Sequence, residues 1–138
     1  MNYKTAYIKF IFVPILVIVS TYSYSQIHNL NSTEKLLVKK WLEYKTLYEG
    51  EMNEIPLADA SIFTFSADFK WKKEVFNPTV IFKGSWKVDP AKNIVYIKWE
   101  EAIDNNTYQY KIKILNEKEL VIEPINANTE TVYYKIKD

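Results

Sequence analysis

The sequence predicts an all-β fold: an up-and-down antiparallel barrel of eight strands with one short helix ahead of it. Three observations carry that expectation. After residue 59, segment after segment alternates apolar and polar residues with period two, the mark of a strand with one buried and one wet face. These segments are short, evenly spaced and separated by clusters of Asn, Asp and Pro that favour turns. No segment of helical period interrupts them, and closing such a meander into a barrel removes the two sheet edges that invite aggregation.

Residues 1–25 read as a secretory signal. Lys4 and Lys9 give a positive start, Phe10 to Val19 an apolar middle, and Ser23-Tyr24-Ser25 a peptidase site before Gln26. The apolar run is ten residues, against about 20 for a membrane span. The expected domain therefore covers residues 26–138. Ser32–Lys40 is expected to be helical, with Asn31 and Glu34 as a capping pair. Trp41–Tyr48 fits either a continued helix or a first strand; the strand is preferred because its β-formers are dense. Gly50–Ala58 reads as a polar connection.

Seven strands follow. Ser61–Ala67 places Phe63 and Phe65 on one face. Phe69–Phe76 places Phe69, Trp71 and Val75 inward and Lys70, Lys72 and Glu74 outward, with Lys73 breaking the pattern at an expected rim or bulge. Thr79–Val88 places Val80, Phe82, Trp86 and Val88 on one face and Lys83, Ser85 and Lys87 on the other. Gly84 falls on the buried face, which predicts a bend or a close approach by an aromatic ring. Ile94–Glu100 presents Val95, Ile97 and Trp99. Thr107–Leu115 presents Tyr108, Tyr110, Ile112 and Ile114. Glu119–Glu123 presents Leu120 and Ile122, and Thr129–Lys137 presents Val132, Tyr134 and Ile136.

Composition excludes several functions. The chain has 138 residues, enough for one domain, and a formal net charge of +1. Without residues 1–25, which hold two lysines and no acid, 16 lysines face 17 acids and the charge is −1. Every basic residue is lysine, so the bidentate fork for phosphate and guanine is missing and nucleic acid is not an expected partner. There is no cysteine and one histidine, His28, which excludes thiolate chemistry and multi-His metal sites. No catalytic set, metal or cofactor is expected, and the protein is not read as an enzyme.

The motif order Leu36-Leu37-Val38-Lys39-Lys40-Trp41, Phe63-Thr64-Phe65-Ser66-Ala67-Asp68, Gly84-Ser85-Trp86-Lys87-Val88-Asp89, Tyr108-Gln109-Tyr110-Lys111-Ile112, Leu120-Val121-Ile122-Glu123 and Thr131-Val132-Tyr133-Tyr134 resembles the small lipocalin-like domain proteins exported by Bacteroidetes-type bacteria. The resemblance implies a calycin-type eight-stranded barrel and a periplasmic or extracellular location. It departs from many such proteins in lacking a cysteine after the signal. It departs from true lipocalins in lacking their first-strand Gly-x-Trp, since Lys39-Lys40-Trp41 stands there.

Aromatics make up 16% of the chain. Trp41, Phe63, Phe65, Phe82, Gly84, Trp86 and Tyr134 are assigned to the structural core. If a ligand pocket exists, Trp71, Trp99, Tyr108 and Tyr110 are its candidate walls, because they join ring faces to N–H or O–H groups. Core packing is the favoured reading, since an eight-stranded barrel is only just wide enough to be filled by side chains or to hold one small ligand. A small hydrophobic ligand calls for a cavity of roughly 300 Å³ or more. The alternative is an envelope module binding protein or glycan through its surface, with Ile81, Tyr96, Val121 and Tyr133 as the outward apolar residues. Glu100, Glu101 and Asp104 read as a solvated rim, the Lys70, Lys72 and Lys73 group as a wet strand face, and Asn105-Asn106-Thr107 as a glycan-acceptor pattern of little weight.

Overall fold

The computed structural model describes residues 29–100, 106–125 and 130–137. The expected signal segment, His28, Glu101, Asp104 and Asn105 lie outside the described residues.

One helix, α1 (Ser32–Leu37), precedes nine strands: β1 (Lys40–Tyr48), β2 (Glu51–Glu54), β3 (Ile62–Phe65), β4 (Lys70–Phe76), β5 (Thr79–Asp89), β6 (Ile94–Trp99), β7 (Thr107–Leu115), β8 (Glu119–Pro124) and β9 (Thr131–Ile136). Every neighbouring pair is antiparallel. The strands β1, β3, β4, β5, β6, β7, β8 and β9 succeed one another round a circuit, and β9 pairs back to β1 from Trp41↔Ile136 to Leu47↔Thr131. This is the expected closed eight-stranded barrel. The ninth strand, β2, lies outside the circuit as a hairpin partner of the far end of β1. Its loop, Glu49-Gly50, has both residues at positive φ, 50° and 84°. That is the turn geometry whose twist suits a two-residue hairpin, and it makes a strand from part of the expected connection.

The helix is shorter than the expected Ser32–Lys40 and ends at Leu37. Its capping box is present: Asn31 Oδ1 accepts from the Glu34 N–H at 2.9 Å, and Glu34 Oε2 accepts from the Asn31 N–H at 2.8 Å. The chain leaves the helix at Val38 because Lys40 must begin pairing with β3. Leu37 is fully buried, and its carbonyl accepts the Trp41 indole N–H at 2.9 Å. The helix thus closes the barrel end that also carries the β7–β8 turn, where Lys39 pairs with Glu117.

Above that closure the barrel is solid. Trp41, Phe65, Trp86, Val95, Leu120 and Ile112 form one cluster with Leu37. Trp86 stands edge-on to Phe65 at 5.4 Å and donates its indole N–H to the Ser66 carbonyl at 3.1 Å. Phe82 is only partly buried and packs against this core from the side.

Gly84 sits opposite Trp71 on β4 and Trp99 on β6. The Trp71 indole crosses over it and donates to the Lys98 carbonyl on β6 at 3.1 Å, a bond that spans β5 from one side to the other. A Cβ at Gly84 would overlap the Lys98 carbonyl oxygen and stand 2.5 Å from Trp71 Nε1. The close approach expected there is therefore real, and the ring involved is Trp71.

Several facings differ from the simple alternation, and Tyr108 and Ile136, expected inward, are 44% and 38% exposed. The register of β7 and β8 shifts between Ile112 and Ile114, so Leu115 takes the inward position and Ile114 is 41% exposed. A second shift, between Glu43 and Lys45, lets Glu43 and Thr46 both face the interior of β1 although they are three apart. Val80 is exposed because it lies beside the β4–β5 turn, at the cis Asn77-Pro78 bond, beyond the end of β3. Lys73 is not at a rim or bulge: it keeps the inward phase of Trp71 and pairs directly with Phe63.

Candidate functional site

The interior is filled at the helix end and open toward the other. Above Phe63 and Tyr134 lies a cavity of about 220 Å³, lined by Glu43, Phe63, Lys73, Trp99, Tyr110, Ile122, Pro124, Glu130, Val132 and Tyr134. Strand alternation supplies most of these side chains: Glu43 comes two after Trp41, Lys73 two after Trp71, and Tyr110 two before Ile112. Surface grooves of similar or larger volume exist, one of about 240 Å³ lined largely by Ser85, Lys87, Tyr96, Lys98 and Thr107 and one of about 310 Å³ along Thr107, Tyr108, Gln109 and Pro124. The lining of the first belongs mostly to the wet face of the sheet.

The cavity combines aromatic walls with polar groups that lack close partners. Lys73 Nζ lies 3.8 Å from Glu43 Oε2, beyond hydrogen-bond range, and 5.7 Å from the Phe63 ring centre. Of the four tryptophans, three satisfy their indole N–H with backbone carbonyls: Trp41 on Leu37, Trp71 on Lys98 and Trp86 on Ser66. The fourth, Trp99, has a buried Nε1 with no hydrogen-bond partner among the described residues. An unmet buried donor costs about 1–3 kcal/mol. Its ring is held by Phe82 at 4.9 Å, Trp71 at 5.3 Å and Tyr108 at 5.9 Å. Neither Tyr110 nor Tyr134 donates or accepts a hydrogen bond through its hydroxyl among the described residues.

Both tyrosines resist ionisation. Burial pushes the Tyr134 hydroxyl well above the usual 10.0, with the charges of Glu43 and Glu130 acting the same way. Burial also raises Tyr110, assisted by Tyr108. The phenols are thus neutral hydrogen-bonding groups across the physiological range.

The sequence candidates distribute unevenly around this space. Trp99 and Tyr110 line it. Trp71 does not; it is 2% exposed, stacks on Phe63 at 5.3 Å and belongs to the packed core. Tyr108 stands at the rim, 44% exposed. Phe63 and Tyr134, assigned to the core, are both core and cavity floor. Glu43, Lys73 and Glu130 are site residues that the sequence candidates do not include. A charged residue in the inward phase of a strand is the available signal for Glu43 and Lys73. Glu130 precedes β9 and carries none.

The other groups flagged by sequence stay apart from the cavity. Glu100 is exposed, and Lys72 faces outward and pairs with Glu74 at 3.2 Å. Val121 is 2% exposed although it faces outward, packed between Ile114 and Tyr133 as cross-strand partners. Tyr96 pairs with Lys87 and Gln109, and Ile81 with Glu74, so the four outward apolar residues do not make one patch. Among the described residues, no three His, Cys, Asp or Glu side chains gather where they could hold a metal.

No protein family matches the sequence, and no curated protein matches it. Solved structures do. The fold is similar to a lipocalin-like protein from Bacteroides uniformis, at TM-score 0.60 and 13% identity over 74% of this chain and 99% of that one. It is similar to an uncharacterized protein from Bacteroides eggerthii, at TM-score 0.58 and 12% identity over 73% and 99%. A further Bacteroides uniformis protein aligns at TM-score 0.54 and 21% identity over 76% and 93%. At such identities the likeness speaks for the fold, and the fold is a closed, lipocalin-like, antiparallel eight-stranded barrel with one short helix.

Proposed function

We propose that this chain is an exported, non-catalytic binding protein that holds one small, largely apolar molecule in the open half of its barrel. The observation that carries this reading is the aromatic-walled cavity of about 220 Å³. It falls short of the roughly 300 Å³ expected from the sequence for a ligand pocket, so the ligand proposed is ring-sized rather than a long-chain lipid. The non-catalytic part rests on chemistry. The chain has no cysteine and a single histidine, His28, so a Ser, Thr or Tyr nucleophile lacks its usual base partner. Export rests on residues 1–25 and is checked by N-terminal sequencing of the protein recovered from cells. A start at Gln26 supports it, and an uncleaved Met1 sinks it.

Toluene is the probe for the cavity. Titrated into ¹⁵N-labelled protein, it should shift the amide resonances of Trp99, Tyr110, Ile122 and Val132 while leaving Val95 and Leu120 in place. No shift at millimolar toluene rejects the pocket. A second reading, a surface-binding module, is favoured by the β4–β5 hairpin end, where Phe76, Val80 and Ile81 are 44%, 39% and 47% exposed. Under that reading the hairpin residues, not the interior, respond to a partner.

A further inference from the structure

We infer that the cavity selects an uncharged, ring-sized molecule bearing a hydrogen-bond acceptor oxygen, and discriminates against both anions and cations of the same size. This rests on the pocket reading above and adds to it the chemical class of the ligand.

The argument begins with donors. Trp99 offers an indole N–H, which can only donate, and no protein oxygen meets it among the described residues. The other three indoles each meet a backbone carbonyl, so Trp99 is the exception. Tyr110 and Tyr134 add two hydroxyls with no hydrogen-bond partner among the described residues. An entering carbonyl or similar oxygen would reach the two hydroxyls directly, and the enclosed Trp99 Nε1 once a neighbouring ring moves. Trp99 is covered on one side by Tyr108, whose ring lies 5.9 Å away and is 44% exposed at the rim, so it is the ring with room to move aside. The remaining walls, Phe63, Ile122 and Val132, take an apolar ring.

Charge then sets the class. Glu43 and Lys73 face each other across 3.8 Å inside the cavity, and Glu130 stands at its edge. An anionic ligand would meet the carboxylates of Glu43 and Glu130. A cationic ligand would compete with the Lys73 ammonium, which already occupies the place over the Phe63 ring where a cation is best held. A neutral acceptor meets neither repulsion and leaves the Lys73–Glu43 pair in place.

Four molecules sharing one ring test this: toluene, benzamide, benzoate and benzylamine, each titrated at pH 7 with the indole N–H resonances tracked. Benzamide should bind about tenfold more tightly than toluene, the usual effect of one additional hydrogen bond in a desolvated site. It should also bind more tightly than benzoate and benzylamine, and the Trp99 indole proton should move downfield with benzamide alone. In Trp99→Phe the preference of benzamide over toluene should shrink to about twofold, with toluene binding retained. In Glu43→Gln, which leaves Lys73 uncompensated, benzoate binding should rise several-fold. Benzoate or benzylamine binding as tightly as benzamide overturns the proposed class, as does equal binding of toluene and benzamide. Failure of all four, toluene included, instead overturns the pocket reading itself.

Discussion

Replacing Gly84 by alanine adds one methyl group at the most crowded point of the sheet. The new Cβ would overlap the Lys98 carbonyl oxygen and stand 2.5 Å from Trp71 Nε1. The first obstacle is backbone, which cannot swing away as a side chain can. Two costs result. Forcing an extra methyl into a close-packed site costs about 1–3 kcal/mol. Separating Trp71 from Lys98 breaks a bond of 3.1 Å and leaves a buried indole donor unmet, a further cost of about 1–3 kcal/mol. The same displacement causes both, so the sum is not additive, and about 2–5 kcal/mol is expected. Against a typical total of about 5–15 kcal/mol, this is a large fraction. Thermal unfolding monitored by circular dichroism should show Tm lower by roughly 8–20 °C, taking about 4 °C per kcal/mol for a domain of this size. Gly50 is the control. It has positive φ, 84°, but nothing within 4 Å of its would-be Cβ, and asparagine tolerates that backbone. Gly50→Asn should therefore lower stability by less than about 1 kcal/mol. Introduced into a Trp71→Phe background, Gly84→Ala should cost less than in the wild type, because the indole bond is already gone. A Gly84→Ala protein melting within about 2 °C of wild type would refute the reasoning about the Trp71–Lys98 crossing.

Two further perturbations test the interior. Lys73→Met should lower stability by about 1–3 kcal/mol in urea unfolding, because it strands a Glu43 side chain that is only 12% exposed. The double variant with Glu43→Leu should recover most of that loss, and a double variant weaker than the single one would show that the two do not act as a pair. Tyr134 links stability to alkaline pH. Its folded pKa is raised above the ordinary 10.0 by burial first and then by Glu43, Tyr110 and Glu130. Stability from a raised folded pKa is fully present below the unfolded value and is lost as pH climbs from about 10 through the folded pKa. Tyrosinate absorbance should thus show a late fraction that ionises only as the barrel unfolds. Tyr134→Phe should move alkaline unfolding to higher pH, and an unchanged midpoint would separate Tyr134 from that transition.

Local patterning is enough to specify the seven strands after residue 59, their order and the barrel they help close, but it leaves Trp41–Tyr48 open between helix and strand and misses β2. Period-two alternation is a property of neighbouring residues, and short turns leave antiparallel pairing of successive strands as the economical arrangement. Trp86 as core, Gly84 as the point of close approach and the Asn31–Glu34 cap are legible for the same reason: each depends on residues near in sequence or directly across one strand pair. Phase errors enter where the chain slips by one residue. The bulges after Glu43 and Ile112 reverse the facing of the residues beyond them, and nothing in the local pattern marks them. The division of the barrel into a filled end and an open end is settled only in three dimensions. It depends on where the helix docks and on how far Trp41, Phe65 and Trp86 reach across the interior. The same holds for Lys73 and Glu43, which are 30 residues apart and on strands that do not pair, yet share one cavity with Trp99. Their meeting is a product of closure, because only a closed sheet turns inward-phase residues from separate strands toward the same enclosed space.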